Sequence, residues 1–158
     1  MTGPKGRASI TFFMKVFRFE SLVMLTVLAC LSSCTHYDVE TADTPANRKG
    51  FENHLGFVPD QNVTGVYYYA DELGADVQYQ LSFRCPKSTI ERIIEKLAFE
   101  PVTPERAGEL LDPRDDLDWW KPDSVTDLPL WGKEEEGYYW QLWYSEEDNR
   151  AFYQEFSI

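Results

Sequence analysis

The sequence predicts an α+β domain built on an antiparallel sheet of about four strands, which two hairpins supply and one or two helices cover. Three observations lead to this prediction: a segment that alternates with a period of two, an amphipathic segment with helical spacing, and a second pair of aromatic strands near residue 158. Strands and helices that occur in separate runs are typical of α+β architecture.

Residues 1–33 have the pattern of a secretory signal. Four cations precede a mostly apolar, uncharged run at residues 21–33, which is shorter than the roughly 20 residues that a membrane span needs. The run ends in Leu31-Ser32-Ser33-Cys34, which resembles the lipobox of bacterial lipoproteins. The resemblance implies cleavage before Cys34, attachment of diacylglycerol to its sulfur and attachment of an acyl chain such as palmitate to its new amino group. Val27-Leu28-Ala29-Cys30 is a second, weaker match.

This resemblance implies a location in the cell envelope. Two or more acyl chains hold a protein stably on a membrane, so the expected membrane partner is bound through lipid on Cys34. Thr35 follows the cysteine where an aspartate would be a retention signal in enteric lipoproteins. By that resemblance we expect the periplasmic face of the outer membrane if the source is Gram-negative.

The chain beyond the signal is strongly acidic. Residues 35–158 contain 26 Asp and Glu against 11 Lys and Arg, a net charge of −15. Such a surface repels nucleic acid phosphates, which argues against a nucleic acid partner. Cys85 is the one cysteine after Cys34, so we expect no disulfide within the domain and a buried, structural thiol at Cys85.

Residues 34–50 are polar and lack apolar periodicity, which predicts a lipidated cysteine followed by a flexible tether. The single domain is then expected to cover residues 51–158. Phe51 and Leu55 have helical spacing, and Gly56 is a candidate end for a short helix.

The first hairpin is predicted from residues 63–70 and 77–85. In the second of these strands apolar and polar residues alternate, so one face is expected to pack on a core and the other to meet water. Ser88 and Glu91 have the spacing of a capping box and predict a helix of about ten residues. Pro101 closes this helix, and Thr103 is a candidate cap for a second short helix that ends at Leu111.

The last predicted elements are strands at residues 138–144 and 151–158, joined by residues 145–150. Between the hairpins, residues 112–137 show no periodic element. Loops longer than roughly 12–15 residues are uncommon in compact domains and are often functional. Our candidate ligand-binding residues in this loop are Trp119, Trp120, Lys121 and Trp131. The alternative is that the tryptophans pack on the sheet and pin the loop.

No catalytic or metal-binding signature is present in the sequence. The aspartates of the 112–137 segment do not fit the calcium-binding pattern of an EF-hand, and there is no glycine-rich phosphate loop. We therefore predict no catalytic residue, no metal and no cofactor.

A wider resemblance covers about 100 residues. The chain resembles small bacterial envelope lipoproteins of unknown function. The resemblance lies in the sequence Val66-Tyr67-Tyr68-Tyr69, the strand around Phe83, the Ile90–Leu97 helix, the run Trp119-Trp120-Lys121-Pro122 and the tyrosine-rich last hairpin. The resemblance implies a single domain and no known catalytic residues.

The leading hypothesis is therefore a non-enzymatic, membrane-anchored envelope protein that binds a protein, peptide or glycan through the 119–131 loop and the exposed sheet face. A first alternative is an envelope glycan hydrolase that uses paired carboxylates of residues 112–136. A second is an immunity or inhibitor protein, for which small size and strong acidity are suitable.

Overall fold

The computed structural model describes residues 39–73, 76–103 and 116–157. These residues form a six-stranded antiparallel sheet with two α-helices, which confirms the α+β class and corrects the predicted strand count of about four. In chain order the elements are α1 (Pro45–Leu55), β1 (Thr64–Leu73), β2 (Asp76–Arg84), α2 (Lys87–Leu97), β3 (Glu100–Pro101), a 3-10 turn (Pro122–Ser124), β4 (Leu130–Glu135), β5 (Tyr138–Ser145) and β6 (Arg150–Ser157).

Three predictions fall wholly or mainly outside the described residues. They are the signal peptide at residues 1–33, lipidation of Cys34, and the second short helix up to Leu111. Within the described ranges, neither helix has the length and apolar character that crossing a bilayer requires.

Both predicted hairpins are present, and the sheet joins them. The strand order is β1-β2-β6-β5-β4-β3, so the hairpins β1–β2 and β5–β6 meet where β2 pairs with β6. The two additional strands are β3 and β4. Strand β4 lies within the predicted loop at residues 112–137. Its sequence lacks the apolar alternation of a strand because it contains the charged residues Lys133, Glu134 and Glu135. Pro101, predicted to end a helix, instead pairs with Trp131 in the two-residue edge strand β3.

The folded domain begins earlier than residue 51, so the predicted tether is wrong from the start of α1 at Pro45. Thr44 caps the helix by accepting a hydrogen bond from the Asn47 backbone N–H at 3.1 Å. The Asp43 carboxylate accepts hydrogen bonds from the backbone N–H groups of Gly65 and Val66. These polar contacts hold the segment on β1, and apolar periodicity does not reveal such contacts.

The predicted helix α2 is present without its predicted capping box. It begins at Lys87, and Pro86 occupies the N-cap position with no side-chain cap bond. The Pro86 carbonyl accepts the Thr89 N–H at 2.9 Å and closes the first turn. Ile90 and Ile93 are buried, as the helical spacing predicts.

Two hydrophobic clusters cover opposite faces of the sheet. The helices pack on the first face, where Phe51 of α1 and Ile93 of α2 form one cluster with strand residues that include Leu81, Phe83, Leu142 and Tyr153. Residues 117–130 pack on the second face over Tyr69, Trp143 and Phe152. The prediction that the polar side of β2 faces water is therefore wrong, since Gln80 and Ser82 on that side are fully buried.

Candidate functional site

A cavity of about 670 Å³ opens on the second face of the sheet. It lies where residues 116–119 cross the end of the β2–β6 pair, and its wall contains Arg84, Arg150, Tyr67 and Trp119. The two arginines occupy paired positions on β2 and β6, so their side chains leave the same face of the sheet side by side.

Each guanidinium keeps free hydrogen-bonding capacity. Arg150 donates from Nε to Ser82 Oγ and from Nη2 to the Trp119 carbonyl, both at 2.9 Å. Arg84 donates from Nη1 to the Asp148 carbonyl at 2.9 Å. A guanidinium has five N–H donors, so three on Arg150 and four on Arg84 have no acceptor within the described part of the chain.

The electrostatics of the pair favour an anion. Burial, and next the charge of Arg84, lower the pKa of the Arg150 guanidinium below its ordinary value. Across residues 39–73, 76–103 and 116–157, no carboxylate forms an ion pair with either arginine. Two adjacent cations, one half-buried, are stabilised by a negative group that accepts their remaining hydrogen bonds.

Trp119 forms a wall of the cavity and presents little surface to it. Its ring stacks on Tyr67 at 5.5 Å between centroids and 14° between planes. Its Nε1 donates to the Val39 carbonyl at 2.7 Å, and the residue is only 7% exposed. These contacts fix the 116–119 segment against β1, and they leave little ring area for stacking with a sugar.

The other predicted site residues are not gathered at the cavity. Trp120 is fully buried and packs edge-to-face on Trp143 and Phe152. Lys121 is exposed, with Nζ 3.6 Å from Asp118 Oδ1. Trp131 pairs with Leu142 and lies half-buried in the first cluster, on the opposite face of the sheet.

The described carboxylates of the loop, within residues 116–136, have surroundings unlike those of a glycosidase acid. Every described carboxylate between residues 116 and 136 is exposed, and Asp112 and Asp115 lie outside the described residues. An exposed carboxylate lacks the apolar pocket in which a glycosidase holds its general acid. Nor does any group of three metal-ligating side chains occur where the structure describes the chain.

A second polar cluster, which the sequence did not predict, surrounds His54 on the first face of the sheet. His54 Nδ1 lies 2.8 Å from Glu155 Oε2, and its Nε2 lies 3.1 Å from the Tyr68 hydroxyl. Tyr153 donates to the same carboxylate at 2.9 Å, and burial, followed by Glu155, raises the Tyr153 pKa well above its ordinary value. Tyr79 packs on the His54 ring with centroids 4.2 Å apart. These groups satisfy one another, which is typical of a structural network.

Cys85 is buried, as predicted, and burial raises the pKa of its thiol to about 12. A nucleophilic cysteine requires the opposite shift, because the thiolate is the reactive form. The buried thiol therefore has the properties of a small core residue.

The sequence did not single out the arginine pair, because Arg84 belongs to a predicted wet strand face and Arg150 to a predicted connection. Only the pairing of β2 with β6 brings the two together. The signal in the sequence that could have indicated this site is the presence of basic residues at the ends of two strands in an otherwise acidic domain. Comparisons of the chain with protein-family models, with curated proteins and with solved structures found no match, so the geometry of the site carries the functional argument.

Proposed function

We propose that this protein is a membrane-anchored lipoprotein of the bacterial cell envelope whose domain binds, without catalysis, a ligand that places an anionic group between Arg84 and Arg150. The observation that carries the proposal is the arginine pair itself. It lies in a cavity, has unused N–H donors and has no carboxylate at ion-pair distance among the described residues. This cavity replaces the 119–131 loop as the proposed contact surface, because Trp119 and Trp120 are buried.

The binding site is tested on the full chain in detergent by titration with inorganic phosphate and with acetate. The Trp119 indole N–H signal in NMR spectra, assigned with Trp119→Phe, reports on the cavity wall. We expect saturable shifts that weaken as salt rises, because salt screens the charges at the cavity mouth.

Arg84→Gln is the decisive variant, because the Arg84 side chain is exposed and makes, within the described ranges, a single hydrogen bond, to a backbone carbonyl. It should abolish the saturable shift. Arg150→Lys keeps the charge at position 150 but loses the planar donor array, so it should weaken binding. Lys49→Gln is the control: it removes the same charge from an exposed site on α1, where Lys49 forms an ion pair with Glu52. Absence of saturation in the unaltered protein, or equal binding by Arg84→Gln, would overturn the site.

The anchor has its own test. Cys34→Ser should move the protein from the membrane fraction to the soluble fraction and remove the acyl mass from its mass spectrum. Cys30→Ser is the matched control, since it changes the weaker lipobox candidate and should leave both readouts unchanged. Membrane retention of Cys34→Ser with its acyl mass intact would refute lipidation at Cys34.

A further inference from the structure

An accessible group of aromatic side chains lies on the first face of the sheet, opposite the face that holds the arginine cavity. The strand register places Tyr79, Glu155 and Trp140 side by side in one row, and Tyr138 belongs to the next row toward the β4–β5 turn. Tyr138 is 40% exposed, and the other two rings are partly exposed. We refer to Tyr79, Tyr138 and Trp140 as the aromatic surface.

The Trp140 ring of this surface is already in contact with a cation. Lys133 pairs with Trp140 in the sheet, and its ammonium lies over the ring, 4.5 Å from the centroid. The same ammonium lies 3.9 Å from Glu135 Oε2. Tyr138 stacks with Trp140 at 5.8 Å between centroids and 22° between planes, and extends the ring area into solvent. Because the face of an aromatic ring attracts ammonium and guanidinium groups, the exposed part of this surface is suited to a second cation.

The charge around the aromatic surface is strongly negative. Lys133 is the one described cation in the two rows of side chains that cross the sheet here. Glu72, Asp76 and Glu136 lie at the adjoining turns, are exposed, and form no ion pair within the described ranges. Burial, and next the hydrogen bond and charge of Glu72, raise the Tyr79 pKa from 10.0 to about 12. A cation that reaches the rings is therefore attracted by carboxylates that have no cationic partner of their own in the described structure.

We propose that the aromatic surface is a docking site for a basic segment of a partner protein, with arginine or lysine side chains on the rings and beside Glu72 and Glu136. Charge complementarity argues for this occupant. A second copy of the chain is unsuitable because residues 35–158 carry a net charge of −15, and a neutral glycan would gain no attraction from the acids. Arginine suits the surface best, because its planar guanidinium stacks on a ring while it donates to a carboxylate.

Titration of the full chain in detergent with two synthetic peptides tests this proposal. The peptides are acetyl-Gly-Arg-Gly-Arg-Gly-amide and the same peptide with the neutral residue citrulline in place of each arginine. The Trp140 indole N–H signal in NMR spectra, assigned with Trp140→Phe, reports on the surface. We expect the arginine peptide to give a saturable shift that weakens as salt rises. It should bind about tenfold more tightly than the citrulline peptide, the effect of two exposed cation–π contacts.

Two variants change the surface in opposite directions. Tyr138→Ala removes the most exposed ring and should weaken binding of the arginine peptide about threefold, while Val58→Ala, which truncates an exposed side chain outside the aromatic surface, should have no effect. Lys133→Gln removes the cation that occupies the Trp140 ring and should strengthen binding. Lys121→Gln is its control, because it makes the same charge change at an exposed position outside the surface. Circular dichroism spectra and melting temperatures confirm that each variant is folded.

Every outcome supports or contradicts the proposal. Equal binding of the citrulline and arginine peptides would show that charge is not recognised, and the proposal would be wrong. Unchanged binding in both Tyr138→Ala and Lys133→Gln would place the peptide elsewhere and would equally overturn it. Binding of spermidine as tight as that of the arginine peptide, or of chitotetraose in place of it, would replace the protein partner with a polyamine or a glycan. The arginine cavity has separate probes and variants, so the failure of one proposal does not imply failure of the other.

Discussion

Replacing Trp120 with alanine tests the claim that the second face of the sheet is a true core. Trp120 is fully buried, and its ring makes edge-to-face contacts with Trp119, Trp143 and Phe152 at centroid distances of 6.3, 5.9 and 5.5 Å. Truncation of a buried tryptophan costs about 3–5 kcal/mol, through lost transfer free energy and the cavity that remains. Domains of this size have roughly 5–15 kcal/mol of stability, so the loss is a large share.

Urea unfolding of the full chain, followed by circular dichroism, measures this loss. With a urea slope of about 2 kcal/mol per molar, the unfolding midpoint should fall by roughly 2 M while the slope stays unchanged. Trp120→Phe should cost only about 1–2 kcal/mol, because it keeps an aromatic ring and removes an indole N–H that has no hydrogen-bond partner among the described residues. Lys121→Ala is the control at the neighbouring, exposed position and should change stability by less than about 0.5 kcal/mol. A loss below about 1 kcal/mol for Trp120→Ala would refute the assignment of this ring to a core.

Three further predictions concern the opposite face of the sheet. Gly50→Ala should destabilise the domain by about 1–2 kcal/mol in urea unfolding, because the new Cβ would lie 2.6 Å from Cγ of Tyr68. In a Tyr68→Ala background the same change should instead stabilise α1 by about 1 kcal/mol, and equal effects in both backgrounds would contradict the clash. Burial, followed by Glu72, raises the Tyr79 pKa from 10.0 to about 12, so the phenol ionises first in the unfolded chain and stability should fall as pH rises from 10 to 12. Tyr79→Phe should make that decline less steep, and an unchanged slope would show that Tyr79 does not contribute to it. Finally, Cys85 should react with a thiol reagent at pH 8 only as fast as the domain opens, since its thiol is buried with a pKa of about 12, and immediate modification of the native protein would disagree with this environment.

Local patterns in the sequence were sufficient to predict elements that form the first core, on the face of the sheet covered by the helices. The alternation from Val77 to Phe83 identifies β2, and the spacing of Ile90 and Ile93 identifies the buried side of α2. Both signals depend on side chains that repeat with the period of their own backbone. The end of α1 at Gly56 was also predictable, because a left-handed φ of 75° suits glycine best.

Elements held by polar contacts were not predictable in the same way. The first half of α1 is fixed by Thr44, Asp43 and Asn47 through hydrogen bonds to its own first turn and to β1. The charged strand β4 is fixed by its pairing with β5. In both cases the stabilising partner is distant in sequence or is a backbone group, and neither leaves an apolar period.

The sequence by itself determined the α+β class, the two hairpins and the buried face of α2, since those follow from local periodicity. It also contains the lipobox-like end at Cys34, on which the anchoring proposal depends. Only the tertiary structure decided that β2 pairs with β6, that residues 117–130 pack as part of a second core, and that Arg84 and Arg150 share a cavity. The physical reason is that strand pairing between distant segments is selected by the whole fold, and no local pattern in either segment encodes its partner.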